Sequence, residues 1–142
     1  AIVAVVLLIP TIDDVDARRK AADRSGDTFA RMWLGEVMPE SVVAKDAVLV
    51  SWWSMSTTLW YAQKVEGQRP DITIIDDRTM LDENLGRAPD VINRYLGTRP
   101  VYVIRLDGPD TDELTSQFDM TLVASGGSTG VWRVDGRLAA AK

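Results

Sequence analysis

Residues 47–75 read AVLVSWWSMSTTLWYAQKVEGQRPDITII and hold one complete unit of an α/β fold. Ala47, Val48, Leu49 and Val50 form a short apolar run rich in β-branched side chains, entered from the turn-like Lys45 and Asp46. Such a run predicts a strand buried on both faces. Ser54 or Ser56 stands where a helix needs an N-cap, and Leu59, Ala62 and Val65 give that helix an inner face. Gly67 suits its C-terminal cap and Pro70 prevents continuation. Ile72 to Ile75 then predict a second buried strand, so the chain crosses over through a helix and returns parallel to where it began.

The same punctuation continues in both directions. Beyond a polar loop, Pro89 sits suitably in the first turn of a helix carrying Val91, Ile92, Tyr95 and Leu96, closed by Gly97. Val101 to Ile104 predict a third strand, and the strands recur at about 25 to 30 residues, the span of a βαβ step. Upstream, Phe29, Met32, Trp33 and Val37 fall at i, i+3, i+4 and i+8, with Ser25 or Asp27 available as N-cap and Pro39 as terminator. Downstream, Met120 to Val123 and Val131 to Val134, joined by Ser125 to Gly130, predict a hairpin of antiparallel edge strands. The expected fold class is α/β: a small three-layer Rossmann-like domain with three parallel strands, crossover helices and a C-terminal antiparallel hairpin. The expected domain is a single soluble unit over 25–136, preceded by a polar connector at 11–24 and followed by a loose tail at 137–142.

The chain has 142 residues, enough for one core, with 46% hydrophobic and 26% charged residues. A net charge of −5 leaves no basic surface for a phosphate backbone, so nucleic acid is not an expected partner. Cysteine and histidine are both absent, which excludes thiol nucleophiles, disulfides, cysteine-based zinc sites and imidazole acid/base chemistry. No cofactor or metal is expected. Residues 1–10, AIVAVVLLIP, are about half the roughly 20 apolar residues a membrane-spanning helix needs. They read either as a buried strand or as the outer end of a truncated membrane helix. The abrupt change to Asp13, Asp14, Asp16, Arg18, Arg19 and Lys20 favours the second.

Ligands of open parallel sheets bind outside the carboxyl ends of the strands. The residues there are Ser51 to Thr58 after the first strand, Asp76 to Thr79 after the second, and Arg105, Leu106 and Asp107 after the third. Trp53, Ser54, Thr57, Asp76, Asp77 and Arg78 are therefore the candidate ligand-binding residues, with indole, hydroxyl, carboxylate and guanidinium groups on one edge. Each also has a plainer reading. Trp52 and Trp53 are adjacent and must point to opposite faces, so at least one is expected to pack in the core. Ser54 and Thr57 suit helix caps, and Asp77 with Arg78 suits a solvated loop. No G-x-G-x-x-G follows the first strand, no Gly-Lys-Ser/Thr follows Gly126, Gly127 or Gly130, and no G-x-S-x-G elbow is present. A phosphoacceptor receiver site also fails, because the first strand ends in Ser-Trp-Trp rather than an acidic pair. No catalytic constellation is found.

The run of Thr58, Leu59, Trp60 and Tyr61 followed by Glu66, Gly67, Arg69, Pro70 and Asp71 resembles the C-terminal region of a bacterial membrane-protein family, domain of unknown function 2723. Arg99 to Ile104 is similar to that family's third strand, and the resemblance covers about Asp46 to Ile104. That family is related to the transmembrane protein O-mannosyltransferases. The resemblance implies an extracytoplasmic accessory domain of a polytopic membrane protein, a glycosyltransferase drawing sugar from a polyprenyl-phosphate donor. Its partners would be the membrane-embedded part of its own chain and a protein acceptor or sugar. The carboxylate expected to act as base in such enzymes lies between early membrane helices, so no catalytic residue carries over to this chain. The competing expectation is a free-standing small-molecule or nucleotide-binding domain, which calls for a glycine-lined first turn.

Overall fold

The computed structural model describes residues 15–23, 25–106, 108–126 and 129–139. The apolar run at 1–10 and the last residues of the tail lie outside them. The described part of the polar connector contains a helix, α1 (Val15–Ala22), with no buried residue.

The remaining elements are α2 (Phe29–Val37), β1 (Val48–Val50), α3 (Trp53–Lys64), β2 (Thr73–Ile75), α4 (Asp77–Asp82), α5 (Ala88–Tyr95), β3 (Val101–Leu106), α6 (Pro109–Thr115), β4 (Phe118–Gly126) and β5 (Thr129–Arg137). They build a mixed α/β molecule around one open five-stranded sheet of order β2-β1-β3-β5-β4. β1 pairs in parallel with both β2 and β3, while β5 runs antiparallel to β3 and to β4. The sequence pattern located these five strands. It did not locate α4, in a stretch read as a polar loop, or α6, in a stretch given no element, and it placed the hairpin only as an edge. β5 is in fact interior, and β4 alone forms the edge on that side.

Side chains alternate between two apolar layers, as a sheet covered on both faces requires. Leu49, Ile74, Tyr102, Ile104 and Val131 face one layer, with Trp33 and Val37 of α2 and Leu59 and Ala62 of α3. Val48, Val50, Ile75, Val101, Val103 and Val134 face the other, with Met80 of α4, Val91 and Ile92 of α5 and Leu114 of α6. Each fully buried aliphatic side chain contributes about 1.5 to 3 kcal/mol by leaving water. The helical period was correct for Trp33 and Val37, but Phe29, Met32 and Val65 are 50%, 60% and 66% exposed. The inner face of each helix is one narrow stripe, and these residues lie beside it.

The amino-terminal edge of the parallel strands is tied by two arginines, each followed by proline. Arg69 donates from Nη1 to the carbonyls of Met38 and Val43, from Nη2 to that of Ala44, and from Nε and Nη2 to Asp71. Arg99 donates to the carbonyls of Asp46 and Ala47 and pairs with the Asp46 carboxylate at 2.9 Å. Together they hold the 38–47 loop against the strand starts. Residues Arg69 and Asp71 of the motif thus have a structural use, at the end of the sheet opposite the candidate site.

The β4–β5 ladder carries two irregularities. Val123 is skipped in β4, between Leu122 and Ala124, and Asp135 is skipped in β5, opposite the Asp119/Met120 step. Asp135 accepts from Thr121 Oγ1 and from Arg133 Nε, which fixes the second bulge. Gly126 and Gly130, read from sequence as turn residues, are paired within these strands. A Cβ on Gly126 would come within 2.8 Å of Trp33 Cδ1, and one on Gly130 within 2.5 Å of Trp132 Nε1, so both are needed for close packing beside an indole.

Candidate functional site

The carboxyl edge of the parallel strands is assembled by the loops that start α3, α4 and α6. Trp52, two residues after β1, is extended and α3 begins at Trp53, with no side chain of its own loop capping it. The cap comes from another loop: Asp77 Oδ1 accepts the Trp53 N–H at 2.6 Å. A carboxylate is thereby fixed at the positive end of α3, where a negative charge is favoured. Ser54 and Ser56, expected as caps, do not have that role. Ser54 Oγ accepts from Trp52 Nε1, while Ser56 and Thr57 hydroxyls donate back to the carbonyls of Trp52 and Trp53.

Of the two adjacent indoles, Trp52 packs against the core and Trp53 is 64% exposed. Asp76 is fully buried and caps α4, its Oδ1 accepting from Thr79 N and Thr79 Oγ1, both at 2.8 Å. Its Oδ2 has no hydrogen-bond partner among the described residues. Arg78 is exposed on α4 and pairs with Asp82 one turn on, at 2.8 Å. Trp53, Ser54 and Asp77 thus come together at one place, with Arg78 one residue beyond on the surface. Asp76 lies beneath them, out of reach of solvent. Thr57 lies one turn along α3 and faces elsewhere, into a groove of 1110 Å³ between α2 and α3 lined also by Leu34, Met38, Thr58 and Tyr61.

A smaller cavity of 440 Å³ opens at the strand carboxyl edge on the opposite face of the sheet from that groove. Its apolar lining comes from Met80, Leu81, Pro89 and Leu114, and its charged lining from Asp77, Arg87, Arg105, Asp110 and Glu113. Of these residues, sequence reasoning had selected Asp77 alone. Arg105 is the notable omission, because it is only 8% exposed. It occupies the position after Val101 and Val103 on the face that packs under α5 and α6, where the alternation calls for an apolar side chain. A charge on an inward register was the signal available in the sequence.

Among the described residues the Arg105 side chain makes one hydrogen bond, from Nη1 to the Ile104 carbonyl at 2.9 Å. Among the described residues it forms no ion pair. Burial pushes its guanidinium down from the usual arginine value, with Asp110 and Asp77 opposing the change by their charge. An arginine nevertheless stays protonated. Over the same cavity, Arg87 at the start of α5 reaches Glu113 of α6 at 2.6 Å.

No family model, curated protein or solved structure matches the chain. No helix among the described residues is long and apolar enough to cross a membrane.

Proposed function

We propose that this domain is a recognition module with a Rossmann-like, three-layer architecture, acting as the extracytoplasmic accessory domain of a polytopic membrane protein of the polyprenyl-phosphate-sugar-dependent O-glycosyltransferase kind. The observation that carries the proposal is the Trp53 indole, 64% exposed on the carboxyl edge of the parallel strands with Asp77 bonded to its own backbone N–H. An open indole face beside hydroxyl and carboxylate acceptors is the chemistry that binds a sugar ring, through its apolar C–H face and its hydroxyls.

Two further observations support it. The Asp77 carboxylate occupies the Trp53 N–H at the start of α3 and the turn is Ser-Trp-Trp, so a nucleotide phosphate would meet a negative charge there and lacks the close backbone approach of a glycine turn. That argues against the free-standing nucleotide-binding alternative. The groove between α2 and α3 carries an apolar strip of Ala30, Leu34, Met38, Pro39 and Tyr61 along its lining. An apolar strip of that extent suits a surface covered by another segment, here the membrane-embedded part of the same protein.

The test is a titration of the 142-residue chain with mannose, with polyprenyl-phosphate-mannose analogues and with Ser/Thr-rich peptides, followed by tryptophan fluorescence and backbone NMR. Saturable shifts centred on Trp53, Ser54 and Asp77, lost in Trp53→Ala, are expected. Silence towards all three ligand classes would overturn recognition and leave a structural cap.

A further inference from the structure

The cavity at the strand carboxyl edge holds a buried cation, two separate carboxylates and an apolar wall, and the fold itself uses little of this. Burying a charge without a charged partner costs free energy, and an apolar residue in its place commonly leaves a protein as stable or more so. Arg105 is nine-tenths buried, lines the cavity and makes a single side-chain hydrogen bond among the described residues, to the neighbouring carbonyl. Its remaining N–H groups have no protein partner among the described residues. Asp77 and Asp110 line the same cavity and attract Arg105 electrostatically, yet neither closes an ion pair with it. Glu113 is occupied by Arg87 at the rim.

Among the described lining residues, two guanidinium and three carboxylate groups give the cavity a small negative excess. A phosphate dianion would deepen that excess. A molecule carrying one negative and one positive group would not, and could satisfy the floor and the walls at once. The apolar lining of Met80, Leu81, Pro89 and Leu114 leaves room for a hydrocarbon body. The volume of 440 Å³ lies within the range of small-molecule sites.

We infer that this cavity binds a small zwitterion of the α-amino acid type with an apolar side chain, its carboxylate on the Arg105 guanidinium and its ammonium between Asp77 and Asp110. The planar fork of arginine matches a carboxylate in two parallel hydrogen bonds. The site does not depend on sugar binding at Trp53, although Asp77 borders both.

Calorimetric titration of the whole chain with leucine and methionine is the experiment, with N-acetyl-leucine, leucinamide and inorganic phosphate as the controls that lack one or other charge. Saturable binding of the free amino acids is expected, weakened by about thirtyfold or more when either charged group is blocked or when Arg105→Met removes the floor cation, as loss of one partner of a buried charge pair commonly gives. Arg105→Met should hold or raise the melting temperature, which separates loss of a ligand contact from loss of fold. Should it fail to fold, Asp110→Asn on the exposed first turn of α6 is the second variant, expected to weaken leucine and leave N-acetyl-leucine unchanged. No heat with leucine or methionine, equal binding of phosphate, or undiminished binding in both variants would overturn the assignment. Leucine binding that survives in Trp53→Ala while mannose shifts vanish would show the two sites to be separate.

Discussion

Arg69 makes five hydrogen bonds, to three backbone carbonyls and to both oxygens of Asp71, with its side chain 14% exposed. Its backbone is also unusual for a side chain of that size, at φ 45° in the left-handed region. Replacing it with Met takes the guanidinium from three carbonyls and from Asp71, which keeps only the Asp46 N–H, and should cost about 3 kcal/mol in urea unfolding. Arg69→Lys should recover only a minor part, because one ammonium cannot span the same fork of acceptors. The guanidinium holds the Asp71 carboxyl well below the usual carboxylate range. A carboxyl whose folded value is depressed adds stability that is complete above the unfolded value, about 3.9, and is lost as pH falls towards the folded one. Acid unfolding monitored by tryptophan fluorescence should therefore show a steeper loss below about pH 4 than Asp71→Asn does.

At the scale of elements, the helix starts divide what was legible from what was not. Long-range bonds are invisible to local pattern, so the cap on α3 was sought in Ser54 and Ser56 and is supplied by Asp77 from the next loop. Asp77→Ala should lower stability by about 1 kcal/mol, the usual loss for a cap, and should broaden the amide signals of Trp53 and Ser54. Asp76 caps α4 from a fully buried position, and its alanine variant should cost about 2 kcal/mol, while Asp76→Asn, which keeps the accepting oxygen, should lose less than half of that in the same thermal melts. Strands β1, β2 and β3 were legible because burial on both faces writes an unbroken apolar run. Helices α4 and α6 span 6 and 7 residues, too short for a 3.6-residue period to show. The candidate site was legible as an edge, through Trp53, Ser54 and Asp77. Its buried cation, Arg105, was named only as a residue after the third strand and not selected, because the strand was read as ending at Ile104 and its inward register was missed.

At the scale of the whole molecule, stability should fall from the sheet centre outwards. Leu49, Val50, Val103 and Ile104 are fully buried on the two faces of the sheet, whereas α1 buries nothing. Hydrogen exchange should find the amides of β1 and β3 opening only with global unfolding, and those of α1 exchanging orders of magnitude faster. The two ends of the sheet differ in kind. β2 presents three residues, too few to attract a further strand, while β4 presents nine. Along that longer side Val123 falls out of step with its partners, so the row of outward N–H and C=O groups is interrupted. Removing Val123 would straighten the row into a continuous template. The expected product is a chain that recruits copies of itself strand by strand, visible as concentration-dependent light scattering where the unaltered protein stays monodisperse. The bulge is, in that sense, a stop signal written into hydrogen bonding, marking where this sheet ceases to grow.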